Sequence, residues 1–182
     1  IEDKMNIDHD IREAGVQMIL VVEDSIRFYS SILPNLYNYI LLQSQRFSTE
    51  ALNRHAATLR MRGRPKVMLA RSYEEAMAIY NRYSDNVLGV ISDARFPMAG
   101  AKDTDAGIKL FRAIRQHDEY VPLIMESSES ENRAKAEGFR FVDKNSKKMS
   151  LDLRRLMESH MGFGDFIFRD PATHEPILRI HS

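Results

Sequence analysis

Residues 87–97 read VLGVISDARFP, an apolar run that ends on a single acid, Asp93. A short run without polar alternation fits a strand covered on both faces, and such strands belong to parallel sheets with helices above and below. In open parallel sheets ligands bind beyond the carboxyl ends of the strands, so an acid at that point stands where chemistry is done. Alone, Asp93 has a plainer reading as a turn or helix-cap residue. What decides is the company it keeps at the ends of other strands.

Four more short runs read as strands: residues 16–22 (VQMILVV), 66–70 (KVMLA), a run opened by Pro122 (PLIME) and 139–142 (FRFV). Helical spacing fills the gaps, at residues 25 to about 61, 73–83, about 106–117, a short stretch at 129–137, and 151 to about 161. Five strands alternating with helices predict a parallel sheet with helices on both faces. The first of these helices is far longer than one crossover needs. Pro34 is expected to kink it or to begin a new turn, and its second half, with Arg46, Arg54, His55 and Arg60, to project. Residues 1–14, charged and weakly patterned, read as a lead-in with one short helix closed by Gly15.

Three further strand ends carry reactive groups: Glu23 with Asp24, Ser127, and Lys144. Neighbouring side chains on a regular strand point to opposite faces, so Glu23 and Asp24 converge only where the strand gives out. Singly each is ordinary, Asp24 or Ser25 as the N-cap of the next helix, for example. Together with Asp93 they make three carboxylates, one hydroxyl and one ammonium on one sheet edge. Clustered acids repel unless they share a cation, and hard oxygen ligands with room for water suit Mg²⁺. A lysine and a hydroxyl beside that ion suit the oxygens of a phosphoryl group.

Composition closes other routes. The chain has 182 residues, net charge zero and no cysteine, which fits one globular domain with appendages and removes disulfides, thiolate nucleophiles and cysteine-bound metal. Arg60, Arg62, Arg64 and Lys66 cluster around Gly63 and Pro65. Without interleaved aromatics or a basic net charge they do not argue for direct nucleic-acid contact. The six histidines have no ligand spacing, no run reaches membrane-spanning length, and the opening residues do not resemble a signal peptide. A cytoplasmic setting is the expectation. Starting at Ile1, the sequence reads as a piece of something longer.

Four segments in order, ILVVEDS (19–25), VISDARFP (90–97), PLIMESS (122–128) and FVDK (141–144), resemble the receiver domain of bacterial two-component response regulators. The resemblance implies a flavodoxin-like, doubly wound five-stranded sheet of order 2-1-3-4-5 over about residues 17–161. Here it carries an extended first helix and a hairpin-like tail. It also implies that Asp93 accepts a phosphoryl group from a histidine kinase or phosphotransfer protein. Glu23, Asp24, Asp93 and the backbone carbonyl of Arg95 would hold Mg²⁺, Lys144 and Ser127 would contact the phosphoryl oxygens, and Phe141 would be the switch aromatic. The chain would then be a signalling domain rather than an enzyme, acting on an output domain in the same or another chain. The implied division is a lead-in at 1–15, a receiver at 16–161 and an extension or further domain at 162–182.

Several positions depart from that pattern. Asn145 stands where a proline is expected after the lysine, the chain between Ser127 and Lys144 is short by about a helical turn, and a longer polar loop, MAGAKDTDAG, holds Asp103 and Asp105, which either shield the site or are simply solvated. These departures keep open a degenerate receiver that docks or dimerises without accepting phosphate. A haloacid-dehalogenase-type phosphatase needs a second aspartate where Arg95 stands. Arg95 and Glu129, each two residues beyond a site residue, are placed to pair across the mouth and restrict attacking water; the alternative is two unpaired surface charges. The tail, DFIFRDPATHEPILRI, reads as two short strands around a turn at 170–175. Its run GFGDFIFRDP is similar to the segment that links the receiver to a phosphoenolpyruvate-synthase-like region in some bacterial proteins. The alternative is a hairpin packed on the domain or on a second copy, and a homodimer through this tail or the long first helix is expected on that reading.

Overall fold

A computed structural model of the chain describes residues 2–49, 64–129, 138–161, 165–169 and 176–181. In chain order the elements are α1 (Glu2–Ala14), β1 (Met18–Val22), α2 (Ile26–Thr49), β2 (Lys66–Ala70), α3 (Tyr73–Tyr83), β3 (Val87–Asp93), β4 (Phe96–Met98), β5 (Ala101–Asp103), α4 (Ala106–His117), β6 (Leu123–Ser127), β7 (Arg140–Asp143), α5 (Met149–Ser159), β8 (Asp165–Arg169) and β9 (Pro176–His181). The predicted helix at 129–137 beyond its first residue, the part of the long helix beyond residue 49, and the turn at 170–175 lie outside the described residues.

Five strands form one parallel sheet in the order β2-β1-β3-β6-β7, which is the expected 2-1-3-4-5 when only its own strands are counted. The interior strands β1 and β6 are buried along their whole length because both of their faces are covered, whereas the edge strand β7, RFVD, buries only Val142. Along β1, Met18, Leu20 and Val22 enter one core with Tyr80, Leu110 and Phe111, while Ile19 and Val21 enter another with Leu36, Ile40 and Met157. The two-residue side-chain period thus divides one strand between two helical layers. α3 opens on Ser72, whose hydroxyl accepts from the Glu75 amide at 3.2 Å, and α2 continues through Pro34, so no new helix begins there.

Two departures from the sequence reading concern the additions to this sheet. The lead-in is a full helix of 13 residues that joins the fold: Ile7 is 2% exposed within the core, and Gly15, at φ +59°, ends the helix. The polar loop after Pro97 is a two-stranded antiparallel hairpin, β4–β5, turned through Ala99 and Gly100, both at positive φ. In the tail, β8 and β9 pair antiparallel as the two predicted strands do.

Candidate functional site

Strand register brings the predicted acids together. Val22 lies opposite Ser92, and beyond these partners the chain turns at Glu23–Asp24 and at Asp93–Ala94. The Glu23 Oε1 accepts from the Ser25 amide at 2.9 Å, which folds the acid back into the turn. Asp93 Oδ1 likewise accepts from the Ala94 amide at 2.8 Å. One carboxylate oxygen from each of Glu23, Asp24 and Asp93 then falls within 4.8 Å of the others. That separation suits a shared divalent cation.

Lys144, delivered just past β7, reaches the same point. Its Nζ lies 3.0 Å from Asp93 Oδ1, forms a second ion pair with Glu23, and sits over the Phe28 ring at 4.4 Å. The ammonium side chain is 1% exposed. Burial opposes its charge, but Asp93 and Glu23 outweigh burial and hold Lys144 above the usual lysine range. Burial pushes the Glu23 carboxyl up, and Asp93 adds to this against the pull of Lys144. One lysine therefore serves more acids than it can neutralise.

Asp24, Asp93, Ser127, Arg95, Glu129 and Lys144 line one cleft of about 210 Å³. Ser127 is buried, its hydroxyl accepting from the Glu129 amide at 3.1 Å. Arg95 and Glu129 form an ion pair at the rim. Phe141 is not part of this cleft; it is half-buried against the core and borders a separate hollow with Asp152 and Arg155. Asn145, in the place of the expected proline, donates its side-chain amide to the Ser128 carbonyl at 2.6 Å and its backbone amide to Asp143 at 2.8 Å. It ties the two loops that carry Ser127 and Lys144.

Three contributors were missed. Glu126 is 2% exposed and opposite Asp93 in register; burial pushes its carboxyl up to about 7, helped by Glu23 and Asp93, and its Oε1 has no hydrogen-bond partner. Its signal was an acid inside an otherwise apolar strand. Gly107, at the start of α4, abuts the acceptor turn: a Cβ there would lie 2.4 Å from the Asp93 carbonyl oxygen. Lys102, on the unforeseen hairpin, places Nζ 3.3 Å from Asp24 Oδ2. Asp103 instead pairs with Lys109 at 2.6 Å and accepts from the Asp105 amide at 2.7 Å, so its carboxylate is engaged with the start of α4.

No family model matches the chain, and no curated protein does. Solved structures do. A response regulator receiver domain from Clostridium thermocellum shares 19% identity over 81% of this chain and 95% of its own, with a TM-score of 0.51. A two-component transcriptional regulator AraC from Clostridium phytofermentans shares 16% over 81% and 93%, at 0.54. The signal receiver domain of an HD domain-containing protein from Pseudomonas fluorescens shares 19% over 81% and 90%, at 0.51. With these similarities, and with the strand order expected of it, the chain has the fold of response-regulator receiver domains.

Proposed function

We propose that the chain is a phosphoacceptor receiver in which the carboxylate of Asp93 takes a phosphoryl group from a phosphohistidine of a partner kinase or phosphotransfer protein. The observation that carries this reading is Lys144 Nζ at 3.0 Å from Asp93 Oδ1 beside three carboxylates that converge within 4.8 Å. Glu23, Asp24 and Asp93, with the Arg95 carbonyl, would hold Mg²⁺. Asp24 Oδ1, buried and without a hydrogen-bond partner, fits a group waiting for a cation. When bound, the ion offsets charge on the transferring oxygens.

The residues of the chain do the rest. Asp93 is the nucleophile: its oxygen bonds phosphorus as the phosphorus–nitrogen bond of the donor breaks, leaving imidazole. Lys144 pairs with the oxygens of the new acyl phosphate, and the Ser127 hydroxyl donates to another. That draw on Ser127 frees space toward which Phe141 turns, shifting the face built by β6 and β7, where an output domain or partner docks. Residues 16–161 form this receiver, with α1 docked on it and residues 162–182 as an extension; the protein works in the cytoplasm, without direct nucleic-acid contact.

The test is intact-mass measurement after incubation with Mg²⁺ and a small phosphodonor. Native protein gains one phosphoryl group and Asp93→Ala gains none. An unchanged native mass overturns the reading in favour of a docking module, and sustained hydrolysis of a phosphate ester overturns it in favour of a phosphatase.

A further inference from the structure

The hairpin β4–β5 aims a second cation at the acidic cluster. Phe96 anchors it in the core with no exposure, and at its tip the Ala99 amide donates to Glu74 on α3 at 2.7 Å. Successive residues of a strand face opposite ways. Asp103 goes to Lys109, and the preceding Lys102 goes to Asp24, where it borders the cleft. Asp24 thus has one buried oxygen without a partner and its other oxygen on Lys102.

The two lysines differ in kind. Lys144 is 1% exposed and held by Glu23 and Asp93, whereas the Lys102 side chain is 51% exposed with one contact at 3.3 Å. An exposed pair of that length is weak and open to exchange with solvent ions. A divalent cation that takes Asp24 must displace this ammonium or sit beside it, and like charges a few ångströms apart repel.

We propose that Lys102 is a tethered competitor of the divalent cation: it occupies Asp24 when the metal is absent and sets how much metal is needed to load the site. The inference rests on the magnesium reading above and specifies its regulation. Lys102 is a positioning residue, since it acts on Asp24 rather than on the reacting atoms.

Isothermal titration of Mg²⁺ into the full chain tests it, with native protein, Lys102→Met and Lys102→Arg compared at low and high ionic strength. Lys102→Met binds Mg²⁺ about three- to tenfold more tightly at low salt. That gain shrinks as salt approaches 1 M, where charges are screened over about 3 Å. Lys102→Arg, which keeps the charge, stays near the native affinity. Equal or weaker affinity in Lys102→Met at low salt overturns the competitor role while leaving the metal site standing, as does a gain insensitive to salt. Native protein that binds no Mg²⁺ overturns both.

Discussion

Buried acids occur at both ends of the central sheet, and their outcomes are opposite. At the start of β2, Asp3 is 3% exposed, yet its oxygens accept from Arg64 at 2.9 Å, from the Val67 amide at 2.9 Å and from the Tyr37 hydroxyl at 3.0 Å. Burial alone would push this carboxyl up; those donors outweigh it and hold Asp3 below the usual carboxylate range. At the far end of β1 and β6, Glu23 and Glu126 are as deeply buried, share Lys144, and are both pushed up. Donors per carboxylate, not burial, separate an acid held ionised by its partners from acids whose charge the fold opposes. The Asp3 set also finishes the sheet edge: the Val67 amide, on the strand's outer side, would otherwise be an open invitation to another chain.

Asp3→Asn should break the well-served end hardest. The amide keeps one acceptor oxygen, so an NH2 group faces either Arg64 or the Val67 amide and Tyr37 hydroxyl, and the charge that Arg64 pairs with is gone, a loss of about 2–4 kcal/mol in urea unfolding. Because the folded carboxyl lies below its unfolded value of about 3.9, its contribution is present above that pH and fades as pH falls through the folded value. The variant should therefore lose part of the native acid-induced weakening. A loss under about 0.5 kcal/mol would show that α1 is fastened by its apolar contacts and its other ion pairs rather than by Asp3.

Glu126→Gln should act in the opposite sense. A carboxyl raised to about 7 in the fold weakens the protein as pH climbs from its unfolded value of about 4.3 through 7, since folding then disfavours the ionised form. Without metal, the variant gains about 1–3 kcal/mol at pH 8, and the gain vanishes near pH 4. A gain of equal size at both pH values would assign it to packing rather than charge.

The contrast was half legible in the sequence. Asp93, Glu23, Asp24 and Lys144 were readable because each comes after a strand whose apolar run announces where it ends. The bounds of β2, α3 and α4 followed from the same punctuation, sharpened by the Pro65 break, while the Ser72 cap that opens α3 shows only in the structure. Asp3 was not legible: α1 is held by Asp3, Asp8 and Asp10 to Arg64, Arg82 and Lys66, with only Ile7 deep in the core, so its apolar period is faint. Long-range ion pairs leave no local pattern. The hairpin escaped because its turn uses Ala99 at φ 53°, not the Asn-Gly or Asp-Gly that usually marks a tight hairpin. Glu126 escaped because which acid in a strand meets the site depends on register with β3, and one sequence does not carry register.

The smallest effect on stability belongs to the rim, which lies between the two regimes. Arg95 and Glu129 pair across the cleft mouth with side chains 35% and 45% exposed, so breaking the pair costs roughly 0–1 kcal/mol. On the phosphoacceptor reading, a rim contact can still govern kinetics by restricting the water that attacks the acyl phosphate. Arg95→Ala should leave the unfolding midpoint nearly unchanged and shorten the phosphorylated lifetime about two- to fivefold, followed by loss of the phosphoryl mass over time. An unchanged or longer lifetime would make the pair a surface contact and leave the cleft without a lid. A shortened lifetime at constant stability would separate guarding the site from holding the fold.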